Sequence, residues 1–216
     1  MIELIDIKKN GIIEEANIRI PKNSKVVLLG SNGAGKTTLL YLLSGVYLPD
    51  SGVIKMGKGE FNFPLKLVDY RRYFQFLRNN IFFIENTTIF HEKFSIEQNI
   101  KYFTSMDEYE MDKIWELYSQ FKVNENPSKI FKNISKGTKQ KLIAILAIAS
   151  KKQYLLLDEP TLGLDNESKL LFYKTIKLLN KTIIISTHDI ESISDFDLVY
   201  NCESNHLVEV KNYENI

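Results

Sequence analysis

The chain lacks a second cysteine: Cys202 stands alone among 216 residues. That excludes an internal disulfide and a multi-cysteine zinc site, and makes a reducing, cytosolic compartment the simplest expectation. A dominant charge is missing too. Lys and Arg number 28 and Asp and Glu 27, a formal net charge of +1, so no strong field draws the chain onto nucleic acid or a bilayer. No run approaches the ~18 uninterrupted apolar residues of a membrane span. The opening residues Met1 to Asp6 lack the basic and apolar regions of a signal peptide. Any membrane role is therefore expected to come through a partner. What remains is ordinary: 44% apolar and 25% charged residues fit a globular protein of one large domain, or a core with a small subdomain.

Short apolar runs recur along the chain, at Val26 to Leu29, Ile81 to Ile84, Tyr154 to Leu157 and Ile183 to Ile185. They do not alternate, which suits strands covered on both faces, as in a parallel sheet. Helical spacing falls between them. Lys36 to Ser44 ends at Gly45, Lys139 to Ser150 carries Leu142, Ile145, Leu146 and Ala149, and Asn166 to Asn180 carries Phe172, Ile176 and Leu179, with Asp165 or Asn166 as its cap. Strand and helix in alternation predict an α/β fold with an open parallel sheet. The first twenty residues instead read as antiparallel strands about a turn at Asn10-Gly11, with another turn at Pro49 to Gly52. Residues 86–137 are polar, aromatic-rich and helix-like, a candidate helical insertion. No internal repeat and no long linker divides the chain.

The strongest motif is Gly30-Ser31-Asn32-Gly33-Ala34-Gly35-Lys36-Thr37, which fits G-x-x-x-x-G-K-[ST] between an apolar strand and a helix. Glycines let the backbone wrap an anion, and the helix start adds partial positive charge. Lys36 is expected to reach the β- and γ-phosphates, Thr37 to ligate Mg²⁺, and Thr38 to join residues 30–37 in binding the phosphates. Downstream, Tyr154 to Pro160 reads as a buried strand ending in Asp158 and Glu159. Asp158 is placed to hold the metal, and Glu159 to polarise the attacking water.

With these two motifs the chain resembles the nucleotide-binding subunit of an ATP-binding cassette (ABC) transporter, a P-loop NTPase of RecA-like core. The resemblance covers nearly the whole length and rests on ordered motifs. Ile134-Ser135-Lys136-Gly137-Thr138 sits at the family's signature L-S-G-G-Q, with Ser135 and Gly137 matching and Lys136 and Thr138 departing. Thr161 to Asp165 stands at the D-loop, and His188 at the switch histidine after the last strand. The resemblance implies a single ATPase domain over 1–216. Residues 1–85 and 138–216 would form a β layer and catalytic core, and 86–137 a helical subdomain. It implies ATP and Mg²⁺ as cofactors and a face-to-face dimer, either a homodimer or a pair with another ATPase subunit. In that dimer Ser135, Lys136, Gly137 and Thr138 of one chain close on the other's γ-phosphate. A transmembrane permease would be the partner, docked near Glu85 to Phe94, with Phe90 and Phe94 either contacts or part of the insertion's own core, and no nucleic acid is implied. The subunit would be cytoplasmic, peripheral at the inner face of the membrane through that permease.

Two departures bear on mechanism. Where the family has a loop glutamine the chain reads Glu85-Asn86. Glu85 is the favoured equivalent, able to approach the metal or the attacking water. A glutamate there, with Lys139-Gln140-Lys141 after the signature, resembles the branch that exports antimicrobial peptides such as lantibiotics and bacitracin. Residues 1–29 contain no Phe, Tyr, Trp or His, so adenine lacks the usual stacking partner. The alternatives are a non-transport cassette of the translation or chromosome type and a nucleotide-binding regulatory module. The first is disfavoured by the absence of a second cradle or a heptad array, the second by intact Lys36, Asp158, Glu159 and His188.

Overall fold

The computed structural model describes residues 1–85, 90–188, 196–203 and 206–210. The chain forms two compact units, Met1–Phe83 with Gln153–Glu159 and Asn180–Ile216, and Ile84–Lys152 with Pro160–Leu179.

In the first unit, β1 (Ile2–Lys9) and β2 (Ile13–Ile20) form the expected hairpin. The Ile12 N–H donates to the Lys9 carbonyl across the turn at 2.9 Å. Register pairs Ile2 with Ile20 and Leu4 with Ile18, which puts one apolar row on the core side. Two strands that the pattern did not reveal complete this sheet, β4 (Ser51–Met56) and β5 (Gly59–Phe63), in the order β2-β1-β4-β5.

The central sheet contains β3 (Lys25–Leu29), β6 (Ile81–Ile84), β7 (Tyr154–Asp158), β8 (Thr182–Ser186), β9 (Leu198–Glu203) and β10 (His206–Val210), ordered β10-β9-β3-β8-β7-β6. The runs at 26–29, 81–84, 154–157 and 183–185 are thus strands. β3 and β8 are buried along their whole length, which explains why they do not alternate. β9 lies parallel to β3, and β10 runs antiparallel to β9. Helix α1 (Lys36–Ser44) buries Leu39, Leu40, Leu42 and Leu43 in a core with Ile2, Leu4, Ile20, Leu28, Leu156 and Ile184.

Helix α2 (Leu67–Asn80) also belongs to this unit and buries only Tyr73 and Leu77. Its solvent face carries Leu67, Val68, Tyr70 and Phe74. Apolar residues on both faces hide the helical period, so the pattern missed it.

The second unit is helical: α3 (Ile96–Met106), α4 (Met111–Gln120), a 3₁₀ turn at Phe131–Asn133, α5 (Lys136–Ala149) and α6 (Asn166–Leu178). Ser95 and Gln98 form a capping box on α3. The unit contains the described part of 86–137 but is wider, because α5 packs on both α4 and α6. Helix α5 begins three residues before the expected Lys139, since the Ser135 side chain caps it by accepting from the Thr138 N–H. Asp165, not Asn166, caps α6. Of the two readings left open for Phe90, a permease contact or insertion core, the structure has core. Its ring stacks on Phe131 at 4.4 Å, and only 5% of the residue is exposed. Phe94 does keep 38% exposure.

Candidate active site

Three strand ends and one helix start build the site within the first unit. β3 ends at Leu29 and delivers the loop 30–35, whose backbone turns into α1. Gly30 adopts φ +143 and lies so close to β9 that a Cβ there would stand 2.4 Å from the Cys202 carbonyl oxygen. Only glycine fits both conditions. Gly35 is the N-cap of α1, and no side chain caps that helix. Its first-turn N–H groups therefore keep their capacity to bind an anion. The Lys36 side chain curls over the loop, its Nζ donating to the carbonyls of Gly30 at 2.7 Å and Ser31 at 3.0 Å.

Opposite the loop, β7 and β8 end in register, Asp158 beside Ser186. The Thr37 hydroxyl donates to Asp158 Oδ2 at 2.9 Å, and the Ser186 hydroxyl donates to the other carboxylate oxygen. Glu159 takes a left-handed backbone, φ +46, a costly conformation for a residue with a Cβ. It is held there because its N–H donates to both the carbonyl and the hydroxyl of Ser186, each at 3.1 Å. His188 Nδ1 lies 3.0 Å from Glu159 Oε1. A depression of about 190 Å³ results, lined by residues 32–38, Asp158 and Glu159. It brings together an ammonium, a hydroxyl and two carboxylates at a helix start, a set able to hold a polyanion and a divalent cation side by side.

Against that geometry stand the comparisons with known proteins. Residues 13–162 match the family model described as ABC transporter. The chain belongs to the ABC transporter family. It is that family's ATPase cassette. A Clostridium acetobutylicum protein assigned to the ABC transporter ATP-binding proteins is 31% identical over 197 residues, 87% of this chain and 68% of the relative. The ABC transporter ATP-binding protein YtrB of Bacillus subtilis is 27% identical over 202 residues, 89% of this chain and 65% of YtrB. The cassette thus spans about two thirds of either relative. Among solved structures, a dimeric ATP-binding cassette in a post-hydrolysis state, bound to ADP and Pi, superposes with a TM-score of 0.79. It shares 19% identity, covering 97% of this chain and 98% of that one, so it supports the cassette fold.

The remaining expected residues of the cassette lie in the second unit. Ser135 Oγ accepts from the Thr138 N–H at 3.0 Å and lies 2.9 Å from the Thr138 hydroxyl. The departures at Lys136 and Thr138 thus sit in a well-capped helix start. Gly137 packs so near the D-loop that a Cβ would stand 3.3 Å from the Gly163 carbonyl oxygen. Asp165 accepts from the Ser168 N–H at 2.8 Å and pairs with Lys141 at 3.0 Å. The Ser168 amide and then Lys141 pull its carboxyl down to about 2. Glu85 follows β6 and is half-buried, while Asn86 lies outside the described residues. Among the described residues no group of three or more His, Cys, Asp or Glu could hold a metal ion, and no helix is long and apolar enough to cross a membrane. Sequence reasoning passed over Ser186. Two aliphatic runs, Leu155-Leu156-Leu157-Asp158 and Ile183-Ile184-Ile185-Ser186, end alike in a polar residue, but the register of β7 and β8 is what sets Ser186 beside Asp158.

Proposed function

We propose that this chain binds MgATP at the loop 30–35 and the first turn of α1, hydrolyses it as one half of an ATP-closed dimer, and drives a transmembrane permease partner. The observation that carries the reading is the convergence of Lys36, Thr37, Asp158 and Glu159 on one depression, with His188 3.0 Å from the Glu159 carboxylate. The loop amides and Lys36 grip the β- and γ-phosphates. To do so, Lys36 exchanges its contacts with the loop carbonyls for phosphate oxygens. Thr37 and Asp158 fit Mg²⁺, which is commonly held by one or two carboxylates together with substrate phosphates rather than by a protein cage. Bound there, the ion supplies charge neutralisation at the phosphates. Glu159 accepts the proton of the attacking water, and His188 steadies the Glu159 carboxylate from the γ-phosphate side.

In the dimer, Ser135, Lys136, Gly137 and Thr138 of one cassette close on the γ-phosphate of the other, with Asp165 in the loop beside them. Glu85 acts at the metal or the water. Glu85→Ala should impair hydrolysis or coupling with nucleotide binding nearly intact, and unchanged turnover together with unchanged transport would reduce it to a turn residue. Residues 1–216 act as one ATPase domain, peripheral to the membrane at its cytoplasmic face through the permease. Export of antimicrobial peptide is the finer reading, supported by the glutamate at position 85 and by Lys139-Gln140-Lys141. Stimulation of phosphate release by bacitracin, in vesicles holding the cassette with its permease, tests that reading.

Single-turnover phosphate release by wild type and Glu159→Gln tests the core claim. Loss of a positioned general base should slow release about 10²- to 10⁴-fold, with ATP binding kept and the dimer prolonged. Equal rates would remove Glu159 from catalysis.

A further inference from the structure

We infer that Ser186 is a positioning residue for this site, its single hydroxyl tying the metal-side carboxylate to the catalytic glutamate. The inference rests on the reading of the site as a MgATP hydrolase and adds a residue to it. Ser186 is fully buried at the end of β8, where strand register sets it beside Asp158. Its hydroxyl hydrogen goes to Asp158 Oδ1, and its oxygen accepts from the Glu159 N–H at 3.1 Å.

The two carboxylate oxygens of Asp158 are thereby distinguished. Oδ2 faces the Thr37 hydroxyl at 2.9 Å, on the side where the cation and phosphates belong. Oδ1 is turned back and satisfied by Ser186. A carboxylate pinned at one oxygen presents the other in a set direction, so the cation meets a ligand that needs no reorientation. The same hydroxyl helps hold the Glu159 backbone at φ +46, a conformation that relaxes unless its surroundings enforce it. Without the hydroxyl, Asp158 Oδ1 loses its donor from β8, and the Glu159 N–H keeps the Ser186 carbonyl at 3.1 Å. Metal affinity and base placement should then loosen together. The effect runs through Asp158 and Glu159, and Ser186 itself touches no reacting atom.

The experiment compares wild type, Ser186→Ala and Ser186→Thr. Binding of a fluorescent ATP analogue is measured first in EDTA and then across a Mg²⁺ titration, beside single-turnover phosphate release. Outer-shell partners of metal ligands are worth about 10- to 100-fold in metal affinity or activity. Ser186→Ala should therefore raise the Mg²⁺ concentration for half-maximal effect by about that factor and slow phosphate release. Its EDTA affinity should match wild type, which also reports an intact fold. Ser186→Thr, which keeps a hydroxyl on a strand-compatible side chain, should recover most of both losses. An unchanged Mg²⁺ midpoint in Ser186→Ala overturns the inference, as does an equal loss of affinity in EDTA or a threonine variant no better than alanine. If wild type itself bound no nucleotide, or bound it without Mg²⁺ dependence, the MgATP reading would fail instead.

Discussion

Replacing Gly30 by alanine separates two costs that glycine-rich loops usually mix. At Gly30 the backbone sits at φ +143, and an added Cβ would stand 2.4 Å from the Cys202 carbonyl oxygen and 3.2 Å from the Ala34 Cβ. The first contact is about 1 Å short of ordinary van der Waals distance, and it is made with backbone. Relief requires moving β9, which is paired to β3 through Val199 and Asn201. Overpacking of this kind costs about 1–3 kcal/mol. The backbone conformation adds about 1–3 kcal/mol, so Gly30→Ala should destabilise by about 2–6 kcal/mol. Gly33 is the control, at φ +83 with nothing within 4 Å of its Cβ position. Gly33→Ala should cost only the left-handed penalty, about 1–2 kcal/mol. Urea unfolding followed by circular dichroism reads both, and a fluorescent ATP analogue reads the loop. Nucleotide binding should weaken more in Gly30→Ala than in Gly33→Ala. If Gly30→Ala unfolded within about 0.5 kcal/mol of wild type, or Gly33→Ala were the more damaged, packing against β9 would not be the deciding term.

Other expectations follow from single groups. Tyr73 packs edge-on against Phe61 and Phe63 with its hydroxyl buried and unpartnered; burial pushes its ionisation well above the ordinary tyrosine range. Tyr73→Phe should therefore be neutral or stabilising by up to about 1 kcal/mol in thermal unfolding, and a clear loss would reveal a partner for the hydroxyl. Asp165, drawn down to about 2 by the Ser168 amide and Lys141, contributes stability above its unfolded pKa and loses it as pH falls through about 4 towards 2. Asp165→Ala should cost about 1 kcal/mol at neutral pH as a lost cap, with the wild-type and variant stability curves converging below pH ~2. A gap that stayed constant with pH would remove the carboxylate from that account. With no aromatic or histidine in residues 1–29, ATP and GTP should bind within about tenfold of each other, since stacking worth ~1–3 kcal/mol per base is missing there. A hundredfold preference for ATP in a binding titration would show that another segment holds adenine.

The parts legible in the sequence were those with one dominant cause. Three of the unalternating apolar runs became strands buried on both faces, the fourth, at 81–84, a strand with Ile81 and Phe83 only partly buried, and the helix at 36–44 has the ends its residues indicated. Lys36, Thr37, Asp158 and Glu159 could be picked out from the glycine-rich loop motif and the acid-ended strand, whereas His188 was picked out only through the resemblance to the family. The β4–β5 hairpin and α2 were not legible. The strands are short, and α2 shows apolar residues to solvent as well as to the core. Phe90 and Phe94 lie four apart with the same side chain, and the packing of Phe103 and Phe131 around the first makes it core.

Sequence alone therefore determined the α/β class, the antiparallel start and the identity of the groups gathered at the loop. Each depends on local pattern or on chemistry carried by neighbouring residues. Tertiary structure alone decided that Ser186 stands beside Asp158, that Gly30 abuts the Cys202 carbonyl, and that Asp165 is tied to Lys141. Those relations join residues 28, 172 and 24 positions apart, and they arise from strand register and helix packing, which no local pattern encodes.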